Sequence, residues 1–303
     1  MAVAVRSRAA RLAAAAEARP QLSAASGAVT IAFSSILVKL AAVEPATAAV
    51  FRCVYALPLL GLLAWQERRR LGARSRRAGA LGVLAGLFFA ADLLAWHHSI
   101  AAVGAGLATV LANLQVALVP LLAWLAFDEA PGRRVLATLP VVVIGIALIS
   151  GVLEDGAYGA NPVAGAIWGV VAGLTYAGFL LLLRHGAAGG RRLAGPLFEV
   201  TLVAAIACAL AGPLSGGVDL VPSWPAHAWL VTLALTSQVL GWLLITTSLP
   251  RLASSTGSLL LTVQPVGSVL LGALLLGEAP SGLQLAGVVL VLAGVVSVAR
   301  GRR

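Results

Sequence analysis

The chain has 303 residues, of which 60% are hydrophobic and 11% charged, with a mean hydropathy of +0.99, against roughly 45–50% and 25% in an ordinary soluble domain. This composition excludes a soluble globular protein, and apolar blocks of about 20 residues fill so much of the sequence that no soluble catalytic domain fits. The net charge of +10 would suggest a nucleic-acid partner in a soluble chain, but here the arginines cluster beside apolar blocks, where they set topology and meet anionic headgroups.

In chain order, residues 1–24 form an arginine-bearing, alanine-rich tail without a continuous apolar core and cleavage site, expected to be cytoplasmic rather than a signal peptide. Five helical spans are then expected at about 25–43, 46–65, 77–98, 104–127 and 134–152. The segment LEDGAYGANP, residues 153–162, stops one helix and delays the next with its acids, glycines and proline. Five further spans come after it at about 162–183, 193–214, 226–248, 253–276 and 282–299, and residues 300–303 form a second cytoplasmic tail. The fold class is therefore an all-α polytopic membrane protein. Its expected division is a five-helix unit over 25–152, a linker over 153–161 and a second five-helix unit over 162–299.

Charge supports the count. With the N-terminus inside, 19 of the 21 lysines and arginines fall in cytoplasmic loops and tails, and the opposite loops hold none. Those opposite loops carry Glu44, Glu154, Asp155, Asp219 and Glu278 instead. A miscounted helix would scramble this alternation, so ten spans with both termini cytoplasmic are expected in the cell (inner) membrane. The two remaining cations, Lys39 and Arg52, fall within spans. Cys53 and Cys208 also lie in apolar stretches and read as small core residues, indicating neither a disulfide framework nor a metal cluster.

The halves repeat each other at an offset of 149 residues. Ser99 corresponds to Ser248, Gln115 to Gln264, Leu122 to Leu271, Glu129-Ala130-Pro131 to Glu278-Ala279-Pro280, Ala137 to Ala286 and Gly145 to Gly294. Five helices per half is an odd number, so equivalent helices cross the membrane in opposite directions. The loops agree: the first copy continues Gly132-Arg133-Arg134, the second Ser281-Gly282-Leu283 without a cation. Inverted repeats of this kind build secondary transporters, which alternate access to a central site.

The stretch SIAAVGAGLATVLANLQVALVPLLAWLAFDE, its second copy SLLLTVQPVGSVLLGALLLGE, the arginine in AAVFRCVYALPLL and the segment DLLAWHHSI resemble the EamA-type ten-helix branch of the drug/metabolite transporter superfamily, over about residues 25–299. The first-half loop departs from that pattern, reading Phe127-Asp128-Glu129 where a glycine before the glutamate is usual. The resemblance implies a transporter whose relatives export amino acids, other metabolites or drugs.

Candidate substrate-binding residues are those whose polarity is placed in hydrocarbon. Gln115 and Gln264 lie about eleven residues from either end of their spans, near the midplane. They are either midplane ligands on the repeat interface or interhelical hydrogen-bonding groups. Asn113 and Thr262 are also repeat equivalents, but two residues away on a continuous helix they would face elsewhere and read first as packing groups. Arg52 and Asp92 lie about six residues below the outer ends of their spans, roughly 9 Å down. Matched depth and opposite sign predict an interaction, either a structural pair or a substrate-carboxylate and proton site. Trp242 shares a helix face with Gln238 at i, i+4 spacing and either lines a cavity or fills the core. His97 and His98 are expected at an outer interface, and Glu199 is expected to meet an arginine such as Arg192.

The function expected is a secondary carrier, an exporter of a small organic metabolite working by alternating access. A channel or facilitator is the alternative, and an intramembrane enzyme a more distant one. No G-x-x-x-x-G-K-[ST] pattern for ATP occurs, and no cofactor, metal or nucleic acid is expected. The expected partners are a small-molecule substrate and membrane lipids, with protons as a candidate coupling ion and a homodimer as a candidate assembly.

Overall fold

The computed structural model describes residues 19–186, 192–221, 223–248, 251–252 and 260–300. Among these residues every regular element is helical. The first half comprises α1 (Pro20–Ala41), α2 (Pro45–Leu71), α3 (Arg76–Val103), α4 (Ala105–Ala112), α5 (Gln115–Phe127) and α6 (Arg133–Ile149). The second comprises α7 (Pro162–Gly186), α8 (Ala194–Ala211), α9 (Trp224–Leu233), a π-helical stretch (Ala234–Gly241), α10 (Trp242–Ser248), α11 (Val263–Leu276) and α12 (Gly282–Arg300). Proline opens α1, α2 and α7, where its fixed φ suits the first turn and its missing N–H costs nothing.

Eight of the described helical segments are long and apolar enough to cross a membrane, and α11 is a shorter apolar helix. Leu125, Leu210 and Leu274 are more than three-quarters exposed on the outer surface, as side chains are when the surrounding solvent is lipid. The chain is a polytopic membrane protein of two inverted five-helix repeats, and its packing obeys their exchange. α1 packs on α11 as α7 packs on α4 and α5, and α3 packs on α7 as α9 and α10 pack on α1. α2 pairs with its own counterpart α8, and α6 with α12.

The last pair shows the symmetry at atomic scale. A Cβ on Gly145 would lie 2.8 Å from Val291, and one on Gly294 would lie 2.7 Å from Val142. The offset that relates Gly145 to Gly294 also relates Val142 to Val291, so one knob-and-notch contact is made twice. Glycine is needed in both notches because the helices approach too closely for any side chain.

The structure departs from the expected helices in two places. The fourth expected helix breaks at Asn113–Leu114. There the backbone bonds shorten, with Leu114 N–H donating to the Leu111 carbonyl and Val116 N–H to Asn113. The Asn113 amide meanwhile donates to the Thr109 carbonyl at 2.8 Å, and Pro120 cannot donate to Val116. The eighth helix carries the π stretch, which adds a residue to a turn and re-aims the side chains beyond it. Of the ninth expected helix, residues 253–259 lie outside the described residues, as does most of the N-terminal tail.

Candidate functional site

The breaks in the helices build the site. Gln115 is the first residue of α5, and Gln264 the second residue of α11 after a turn at Thr262, so both repeats present a glutamine where a new half-helix starts. Gln115, Gln264, Asn113 and Thr262 all line one cavity of about 1260 Å³ between the repeats. On a continuous helix Asn113 would turn away from Gln115; the two-residue turn brings both to the same wall. Trp242 and Tyr176 form an aromatic side of the cavity, edge to face with centroids 6.2 Å apart. The Gln115 and Gln264 amides offer this wall donors and acceptors for a polar group, and the rings favour an apolar body.

The cavity runs to the face that holds the arginines. Its mouth is lined by Glu129, Arg133, Arg134 and Arg184, with Glu129 and Arg184 in a loose pair at 3.8 Å. At the opposite end α4 acts as a plug: Ala105, Leu107, Ala108, Val110 and Leu111 are fully buried. Glu278, from the loop between α11 and α12, seals that plug by accepting from the N–H groups of Ala105 and Gly106. The path is therefore open to one face and shut to the other.

Arg52, Asp92 and Gln238 do not line this cavity. They belong to a buried polar layer beside it. Arg52 and Asp92 attract each other across the layer, as expected, but not in a direct ion pair; the Arg52 guanidinium donates to Gln238 Oε1 at 3.0 Å and lies 5.7 Å from the Trp96 ring. The Gln238 amide donates in turn to Thr201 at 3.2 Å. A single amide from the π stretch thus bridges α2 and α8. The extra π residue turns Gln238 into the core while Trp242, four residues on, reaches the cavity.

The expectation for His97 is overturned, and those for His98 and Glu199 gain their partners. His97 does not face interfacial water: α3 continues to Val103, and His97 is 1% exposed with Nδ1 against the Pro45 carbonyl at 3.0 Å. His98 stacks on Trp168. Glu199 pairs with Arg74, while Arg192 donates to the carbonyls that end α2. Sequence reasoning passed over Tyr176 and the docking of Glu278. The Glu-Ala-Pro repeat pointed to the second, because a motif kept in both halves at helix ends invites the question of what each copy touches.

None of the curated proteins compared with the chain matches it significantly. A solved crystal structure of another protein superposes with a TM-score of 0.61 at 16% identity, covering 92% of this chain and 96% of that one; at this identity the likeness shows the fold. A family model described as the EamA-like transporter family matches residues 20–151 and again residues 163–300. The chain thus belongs to the EamA-like transporter family, and is a multi-pass membrane transporter of the drug/metabolite transporter superfamily rather than an enzyme.

Proposed function

We propose that this transporter is a secondary carrier that exports a small organic metabolite by alternating access around the cavity between its repeats. One observation carries the reading: repeat-related glutamines at the starts of two half-helices share a cavity open to one face and plugged at the other. The positive-inside rule supports reading the arginine face as cytoplasmic, with both termini inside and the described state inward-open. The arginines at the mouth gather anionic or zwitterionic solutes from the cytoplasm, the two glutamine amides bind the polar group, and Trp242 and Tyr176 cover the apolar body. Asp92, buried and with no ion-pair partner among the described residues, is the carboxyl we assign to a coupling proton. Arg52 and Gln238 serve as its supporting layer rather than as direct substrate contacts.

Comparing metabolites in cells with and without the protein, and then measuring transport of the changed compound in proteoliposomes, tests the reading. Saturable flux supports a carrier, whereas conductance that does not saturate supports a channel. Gln115→Leu and Gln264→Leu should each weaken substrate binding by about five- to thirtyfold while leaving insertion intact, since leucine fills similar volume and needs no polar partner. Normal binding and transport in both variants would return the amides to a structural role.

A further inference from the structure

The glutamate that recurs in the two repeats is found in two opposite situations. The Glu129 side chain is 47% exposed at the cavity mouth, with Arg184 at 3.8 Å the nearest cation among the described residues. Glu278 is 5% exposed at the shut end. Its Oε1 accepts from Ala105 N–H at 2.5 Å and its Oε2 from Gly106 N–H at 3.0 Å. The first N–H groups of a helix have no partner within the helix and sit at the positive end of its dipole, so a carboxylate is the group that satisfies them best.

The socket is shaped for that carboxylate. A Cβ on Gly104 would lie 2.8 Å from Glu278 Oε1, one on Gly106 3.3 Å from Oε2, and one on Gly272 closer still. Gly104 also has φ +91°, a backbone conformation that disfavours any side chain. These contacts join the loop of the second repeat to the plug formed by α4 of the first. Release would cost two hydrogen bonds to a charged group, and hydration of the freed carboxylate would offset much of this, as the water-exposed state of Glu129 illustrates. The bond is therefore strong enough to hold a closed end and weak enough to break in each cycle.

We propose that Glu278 is the positioning residue that latches the extracytoplasmic end, holding α4 shut in the inward-open state and leaving the Ala105 and Gly106 amides when the cavity opens outward. The proposal rests on the carrier reading above. Opening at that end separates the α11–α12 loop from α4, and the inverted repeat makes the two ends of the molecule alternate in this respect.

The test needs no substrate. In full-length protein carrying Cys53→Ala and Cys208→Ala, a single reporter thiol is introduced on the cavity wall by Val119→Cys. Its labelling by a membrane-impermeant maleimide is then timed from each face, in intact cells and in inverted vesicles. The parent should label from the arginine face. Glu278→Ala and Glu278→Gln should raise labelling from the opposite face roughly tenfold and lower it from the arginine face, while Glu278→Asp should recover part of the parent pattern. Should Glu278→Ala fail to fold, Glu278→Gln, which keeps the side-chain volume and removes the charge, carries the comparison. Folded variants whose outer labelling stays within about twofold of the parent overturn the latch alone, as does a rise from both faces, which is simple loosening. A parent that labels mainly from the face opposite the arginines overturns the inward-open reading, and the latch with it.

Discussion

Arg52 sets the terms of the buried polar layer. A guanidinium 4% exposed in a membrane-spanning helix needs a partner, and the one it finds is the Gln238 carbonyl oxygen rather than the Asp92 carboxylate. Its depth, and hence its need for a partner, was legible in the sequence. The identity of that partner was not, because Gln238 reaches the layer only through the extra residue of the π stretch. Gln238→Leu should cost about 3 kcal/mol by leaving a buried charge without its acceptor, whereas Arg52→Met combined with Gln238→Leu should recover most of that loss. Melting of the purified variants in detergent checks this; equal damage in the single and double variants would show that the two side chains act separately. Gln115 and Gln264 were legible as a pair for a simpler reason, since a polar side chain repeated at equivalent positions in two apolar helices stands out without any tertiary information.

At the scale of elements, helix existence came from hydropathy and proline, but helix continuity did not. The break at Asn113–Leu114 lies inside an unbroken apolar run whose only warnings are Asn113 and Pro120. Nothing local requires the turn there; packing of α4 against α7 and α11 on one side and of α5 against α7 on the other selects it. The glycines behave differently, because their role in close packing comes from small size alone. The reciprocal notches of α6 and α12 give a symmetric prediction: Gly145→Leu and Gly294→Leu should each lower stability by ~1–3 kcal/mol through overpacking, and by similar amounts. A melting shift in only one of the two variants would show that the repeats do not share this contact.

For the whole molecule, the arginine distribution and the cavity lead to the same orientation. The face that carries Arg68, Arg69, Arg70, Arg76, Arg133 and Arg134 is the face to which the cavity opens, so the positive-inside rule ties topology to the direction of access. Epitope tags at the two termini should be unreachable from outside intact cells and reachable after permeabilisation; a C-terminus accessible from outside would overturn the ten-span topology.

Membrane class, the repeat and its inversion were determined by the sequence alone, because each depends on composition, periodicity or charge counted along the chain. The tertiary structure decided where the helices break, which amide satisfies Arg52, and that Glu278 is docked while Glu129 is in water. The shared Glu-Ala-Pro does not by itself say which glutamate docks, because docking needs a partner helix start brought from the other half, and the arrangement of the two halves supplies one to Glu278 at the closed end.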